Sequence, residues 1–297
     1  MVGLLETGRT SARAIAPLAR WTATNSSIVF LAVIVVVGAL PRAYQLSQRA
    51  IWFDEAFFWQ LSQRPIHELI AGARQDNHPP LYPLLLKAWS GVFGTSLGAM
   101  RSLSVVFSTA TIVGMYLFAT EAFGSCDRAE SVSGRHGTRA AEMALFTAAF
   151  VAASVFQIRW AWDVKNLALG TALGAFSSWA LFRALRVTTF AAWLSYAALA
   201  LAFLYTHYYA LASVFAQGAF VAGWLLHKWR FNFAGLLGDC ALWSWLAAVA
   251  VIFAGWTPWL PSFLHQHDRD RAEGLRPRLK MADLVDAPFQ MFFEPED

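Results

Sequence analysis

Long apolar runs, separated by short polar stretches, set the plan of this chain. Ile28–Leu40 is the first, and with its flanks it reaches spanning length. Leu97–Phe123, Ala140–Ile158, Asn166–Leu185, Phe190–Tyr205, Tyr208–Leu226 and Ala241–Trp259 follow. Each reads as a helix able to cross hydrocarbon, which needs roughly 20 residues. Leu81–Phe93 has the same apolar character over only about 13 residues and carries Lys87. That is too short for a crossing, so it reads as interfacial or re-entrant. The pattern predicts an all-α, polytopic membrane protein with about seven transmembrane helices.

Polar segments give the sidedness. Residues 1–27 hold Arg9, Arg13 and Arg20 and form a cytosolic tail; no small-x-small cleavage site follows the first run, so it stays as a helix. Residues 45–96 form an outer loop in which Phe57–Leu61 and Ile66–Ala71 are short interfacial helices. Asp76-Asn77-His78-Pro79-Pro80 starts a further helix, with polar caps ahead of proline. Arg128, Arg135 and Arg139, then Arg183 and Arg186, then Lys228 and Arg230 all fall on the inner side, provided Leu81–Phe93 does not cross. Residues 28–261 thus form one transmembrane domain, bracketed by Pro258 and Pro261. Residues 262–297 follow as an outer segment, with Arg269, Arg271, Arg276, Arg278 and Lys280 interspersed with Asp268, Asp270, Glu273 and Asp283.

Composition supports this plan. The 297 residues are 57% hydrophobic and 14% charged, whereas soluble domains run near 45–50% apolar and about a quarter charged. The net charge of +4 sits in small groups between spans and forms no basic face, which argues against nucleic acid. Cys126 and Cys240 are far apart and both adjoin inner loops, which argues against a disulfide and offers no metal spacing.

Candidate chemistry gathers at the outer ends of the spans. Asp54 and Glu55 emerge from Ile51-Trp52-Phe53 as adjacent carboxylates; such a pair either caps a helix or separates in pKa, giving one general base. Asp163 and Lys165 are either an interfacial ion pair at a helix start or part of the same site. His78 is either a cap or a ligand. Tyr82 follows it in the same stretch. Lys87 and Arg101 can snorkel or hold a lipid phosphate. His207, among Tyr205, Tyr208 and Tyr209, is either structural or substrate-facing.

The order of these features is itself distinctive: Trp52-Phe53-Asp54-Glu55-Ala56, Asp76-Asn77-His78-Pro79-Pro80-Leu81-Tyr82, Phe93-Gly94-Thr95-Ser96, Arg101-Ser102-Leu103-Ser104, Asp163-Val164-Lys165-Asn166-Leu167-Ala168-Leu169, Tyr205-Thr206-His207-Tyr208 and Thr257-Pro258-Trp259-Leu260-Pro261. Over about residues 28–266 the chain resembles the GT-C membrane glycosyltransferases. The resemblance is to the branch holding the protein O-mannosyltransferases, the lipid A aminoarabinose transferase and the RgtA/B/C/D-like bacterial enzymes.

The resemblance implies transfer of a sugar from a polyprenyl-phosphate donor to a lipid, glycan or protein acceptor at the outer membrane face. Asp54 would be the catalytic carboxylate, with Glu55 and Asp163 as neighbours that orient the acceptor or, in some relatives, hold a divalent metal. Lys87, Arg101 and Lys165 would neutralise the leaving phosphate; His78, Tyr82 and His207 would contact substrate. Lys165 and Leu167 depart from the family's usual Arg and Tyr. Relatives also continue through further spans, so the segment 262–297 is expected to be cut short and the groove to be completed by a second chain. A non-catalytic remnant or subunit that still binds lipid-linked sugar shares every one of these features. A transporter would instead place ionisable groups deep within spans.

Overall fold

The computed structural model describes residues 26–129, 136–230 and 232–272. Arg9, Arg13, Arg20, Arg135, Glu273, Arg276, Arg278, Lys280 and Asp283 lie outside the described residues, as do the side chains of Arg128 and Arg271. Every regular element among the described residues is a helix. The order is α1 (Ser26–Ala43), α2 (Phe53–Gln63), α3 (Ile66–Gln75), α4 (Leu81–Phe93), α5 (Leu97–Ala129), α6 (His136–Ala153), α7 (Val155–Ala161), α8 (Leu167–Val187), α9 (Phe190–Leu204), α10 (Ala210–Trp229), α11 (Phe233–Leu237), α12 (Cys240–Trp256) and α13 (Leu260–Ala272).

Among the described residues, four helices are long and apolar enough to cross a membrane: α1, α5 over Leu97–Gly124, α10, and a continuous helix over Cys240–Arg269. Arg139–Ala153 with Val155–Ala161 makes a fifth if the two bent pieces count as one span. The chain is therefore compatible with a multi-pass membrane protein. Two of the seven expected spans do not reach this standard. α9 is apolar but has 15 residues, and α8 is diluted by glycine, serine and arginine along its 21. The reason lies in the packing. α8 is set against α5, α9 and α10, and buries Ala168, Gly170, Ala172, Ala175, Ser177, Ala180 and Ala184. Small side chains let neighbouring backbones approach closely, and a helix shielded by protein needs no lipid-grade hydropathy. α1 is the opposite case: Val29, Phe30, Val33, Val36, Val37 and Leu40 stay exposed. It comes close to its neighbours at Gly38, where a Cβ would meet Ile112 Cδ1 at 2.8 Å and Ala152 Cβ at 3.0 Å.

Two expected boundaries are corrected. The run Ala140–Ile158 is no single helix, because α6 and α7 meet at a 55° bend. Ser154 caps α7 by accepting from the Gln157 N–H. The carbonyls freed at the end of α6 accept instead from Arg42, at 2.9 Å for Val151 and 2.8 Å for Ala152. A buried guanidinium thus replaces the backbone donors that the bend removes. Pro258 and Pro261 do not end the last span either. Each sits in a first turn, of a 3-10 segment Thr257–Trp259 and of α13, where a missing N–H breaks no bond.

One end of the bundle gathers the turn 44–52, α2 to α4, the α7–α8 connection 162–166 and the α9–α10 connection 205–209. α13 folds over them: Gln266 Nε2 donates to the carbonyls of Ala73 (3.0 Å) and Arg74 (3.1 Å). The expected capping of α4 by Asp76, Asn77 or His78 is also corrected. Leu81 N–H donates to the Tyr205 carbonyl at 3.0 Å, so another segment supplies the cap and the Asp76 side chain turns to His78.

Candidate functional site

The two carboxylates that open α2 are neighbours in sequence and separate in environment. The chain enters α2 from an extended Trp52, and both acids lie in the first turn, where the helix dipole favours negative charge. Glu55 points inward and is fully buried. Its Oε1 accepts from Arg101 Nε at 2.8 Å and from the Val164 N–H at 2.9 Å, and its Oε2 from Arg101 Nη2 at 2.5 Å. Arg101 spends its other donors on the carbonyls of Leu46 (2.7 Å), Arg49 (3.2 Å) and Ala50 (3.0 Å). All five guanidinium N–H groups are thereby taken. The pair ties α2, α5, the 44–52 turn and the α7–α8 connection into one unit.

Asp54 is one-third exposed, and its Oδ2 pairs with Lys165 Nζ at 2.7 Å. The ammonium also lies 4.9 Å from the ring of Trp52 and 5.4 Å from that of Trp160. Asp54 lines a cavity of about 330 Å³ with Phe57, Gln60, Arg64, Asp76 and His78. Here Asp76 Oδ2 lies 2.9 Å from His78 Nδ1, a contact that orients the ring. His78 meets Phe58 and His207 edge to face, at 5.7 Å each.

His207 belongs to a second space, an apolar groove of about 710 Å³ between the helices. Phe118, Phe156, Leu167, Phe203 and Tyr209 line it, with a polar stripe of Thr111, Gln157, Thr171 and Gln217. Burial, with the charges of His78 and Lys165, pushes the His207 imidazole down to about 4. It is therefore neutral at pH 7. Its Nδ1 accepts from the Tyr209 N–H at 3.1 Å, which puts the proton on Nε2. The His78–His207 contact is thus where groove and cavity meet.

Asp163 opens on a third space of about 400 Å³, whose wall includes Trp52, Trp160, Arg49, Arg101 and Arg159. Burial and the charge of Glu55 push its carboxyl up to about 6, against the pull of Arg101, Lys165 and Arg159. Asp54 and His78 therefore share one cavity and Asp163 lies in the next, with Lys165 between them.

The remaining candidates fall outside these spaces. Tyr82 is buried beneath them, with its hydroxyl 3.2 Å from Ser104 Oγ and its ring against Phe58. Burial raises its pKa, partly offset by the Ser104 contact and reinforced by Glu55 and Asp163. Lys87 donates to the Ser62 carbonyl at 3.2 Å and joins α4 to α2. A divalent metal does not fit: no group of three His, Cys, Asp or Glu is placed to hold one among the described residues, and Asp54 and Glu55 each already face a cation. Residue patterns had also passed over Asp76 as the partner of His78, Trp52 and Trp160 around Lys165, and Arg42. The D-x-H spacing and the tryptophans two and five positions from the charged residues were the available signals.

No family model matches the chain, and no curated protein or solved structure does so either.

Proposed function

We propose that this protein is a membrane glycosyltransferase of the GT-C type, with seven spans, that moves a sugar from a polyprenyl-phosphate donor to an acceptor hydroxyl at the outer membrane face. The observation that carries this reading is the junction of the interhelical groove with a polar cavity lined by Asp54, the partner of Lys165. A prenyl chain fits a long apolar groove open to lipid, and its charged head then lies at the loop-rich end of the bundle. Asp54 takes the proton of the acceptor hydroxyl as its oxygen attacks the anomeric carbon. The bond from that carbon to the phosphate oxygen breaks with inversion, and the electron pair leaves on the phosphate. Lys165, held by two indole faces, moves its charge from Asp54 towards the leaving phosphate. His207, with its proton on Nε2, donates to the same group, and His78, whose Nδ1–H is held by Asp76, lines the cavity beside it. Glu55 and Arg101 hold the frame and touch no substrate.

The test is reconstitution of the full chain in liposomes with labelled polyprenyl-phosphate hexoses and membrane acceptors. Transfer that disappears in Asp54→Asn supports the reading. Wild-type protein that binds the donors but transfers nothing indicates a non-catalytic subunit. Sidedness is tested on intact cells carrying Phe53→Cys, a position 83% exposed. Labelling by an impermeant thiol reagent is expected, and protection from it with labelling only after lysis overturns the proposal.

A further inference from the structure

α9 and α12 pack together and both start at the end of the bundle opposite the loop-rich one. A cleft of about 250 Å³ lies between them, with Phe190, Trp193 and Ala197 of α9 facing Ser244, Ala247 and Val251 of α12. Two kinds of donor at its head have no acceptor among the described residues. Trp193 is 5% exposed, lines the cleft, and its indole Nε1–H, a donor only, meets no partner. The Thr189 side chain does not cap α9, and the N–H groups of Phe190 and Ala191 are left open at the helix start. Arg183 flanks the same start in a recess with Thr189 and Ala191. Its guanidinium is half exposed and lies 3.8 Å from Glu121, whose carboxylate already takes Arg186 at 2.6 and 2.8 Å.

We propose that this cleft binds a diacyl glycerophospholipid, with the phosphate at the start of α9, an ester carbonyl on Trp193 Nε1–H and an acyl chain along the small residues below. Open N–H groups and the positive end of the dipole favour a phosphate at a helix start. Trp193 is three residues inside α9 and Ser244 four inside α12, about 5–6 Å below the helix ends by helical rise. The headgroup region is itself about 5–7 Å deep on each face, so the indole N–H lies at its inner edge, where the ester carbonyls are. An ester carbonyl is an acceptor with no donor of its own. A transmembrane helix docked here would bring none, because its backbone carbonyls are taken by its own N–H groups. The site is independent of the proposed transfer, since it lies at the other end of the bundle.

The experiment titrates the full chain in detergent with dioleoyl phosphatidylglycerol, its diether analogue, dioleoylglycerol and inorganic phosphate, and reads bound lipid by native mass spectrometry. The diester should be retained about fivefold better than the diether, the effect of one hydrogen bond. In Trp193→Phe, which keeps a ring and removes the donor, the two should be retained alike. Dioleoylglycerol, which lacks the phosphate, should be retained at least roughly tenfold less than the phospholipid, and excess inorganic phosphate should not displace the lipid. Phe190→Pro removes one open N–H at a position where proline suits a helix and should weaken retention severalfold, whereas Phe190→Leu should not. Ala247→Leu, at an exposed position, fills the cleft without touching the indole and should also weaken retention. Equal retention of diester and diether by the wild type, or a preference that survives in Trp193→Phe, overturns the proposal. So does equal retention of dioleoylglycerol, displacement by phosphate alone, or equal effects of Phe190→Pro and Phe190→Leu. Retention untouched by Ala247→Leu overturns it as well, and loss of a dimer in that variant would make the cleft a contact between chains.

Discussion

The two ends of the bundle carry the same kinds of charged pair and use them differently. At the end opposite the cavities, Glu121 accepts from Arg186 at 2.6 and 2.8 Å with Arg183 at 3.8 Å, joining α5 to α8. Asp239 accepts from Lys228 at 2.6 Å and Trp229 at 2.8 Å, and caps α12 through Ala241 N–H. Neither carboxylate borders a cavity described above; Glu121 joins the body of α5 to the last turn of α8, and Asp239 joins the end of α10 to the start of α12. The loop-rich end has a pair of this fastening kind, Glu55–Arg101, and it is buried more completely than either. It also has Asp54–Lys165, which closes no turn and fronts a cavity. An ion pair left half-open to solvent adds little to stability. That this chain keeps one beside a fully buried pair argues that stability is not what Asp54–Lys165 supplies.

The sharpest way to break this contrast is to neutralise the two adjacent acids one at a time. Asp54→Asn should lower transfer by about 10²–10⁴, the range a general base contributes, while thermal unfolding in detergent stays within about 0.5 kcal/mol of wild type. Glu55→Gln should do the reverse in kind, lowering the unfolding temperature first. If both variants lose activity and stability together, the division of labour fails.

A second comparison sets the ends against each other. Arg101→Ala leaves a buried carboxylate unpaired and should cost about 3–5 kcal/mol. Arg186→Ala, whose side chain is one-third exposed, should cost about 1 kcal/mol. Equal losses in chemical unfolding would mean that the Glu55 pair is no deeper in its energetics than the Glu121 pair.

How far all this could be read from the residues follows from the same contrast. The helical architecture was legible because lipid exposure writes itself into composition: α1 is apolar on nearly every face and stays exposed. α8 was legible as a helix but fell short as a lipid-facing span, since its neighbours are protein and its composition reflects close packing. The bend at Ser154 was hidden because its compensation comes from Arg42, more than a hundred positions away. Within the candidate site, Asp54, His78, Asp163, Lys165 and His207 were legible by type and order. Which carboxylate meets which cation was not. Glu55 takes Arg101 and Asp54 takes Lys165 only because α2 turns one residue inward and its neighbour outward, a fact of helical phase set by the packing of Phe58 and Leu61.

A smaller effect concerns Asp163, whose folded pKa is raised from 3.8 to about 6 by burial. A carboxyl raised on folding stabilises below its unfolded value and loses that contribution as the pH climbs through its folded value. Stability should therefore decline between pH 4 and pH 6 on account of this group. Asp163→Asn should match wild type near pH 4 and exceed it at pH 7.5 in thermal unfolding. The far-end Asp239, held below its ordinary value because Lys228, Trp229 and Ala241 N–H outweigh its burial, should give the opposite slope. If Asp163→Asn shows no gain at pH 7.5, its carboxyl is solvated rather than confined in the cavity.

The smallest expected effect separates the ends by their backbone. Thr188 closes the α8–α9 turn at φ 50°, and Gln45 sits at φ 54° in the turn behind α2. Left-handed backbone costs a side-chain-bearing residue about 1 kcal/mol, and a β-branched residue crowds that conformation further. Glycine removes the crowding but widens the freedom of the unfolded chain, which offsets part of the gain. Thr188→Gly should therefore stabilise by about 0.5–1 kcal/mol and Gln45→Gly by less. The second change also loosens the segment whose carbonyls at Leu46, Arg49 and Ala50 receive Arg101. At the far end the turn holds no part of the transfer site, so relieving it should leave transfer untouched. At the loop-rich end the same relief should show as lower activity without lower stability, because that turn holds Arg101, and through it Glu55 and the start of α2, in register with the cavity.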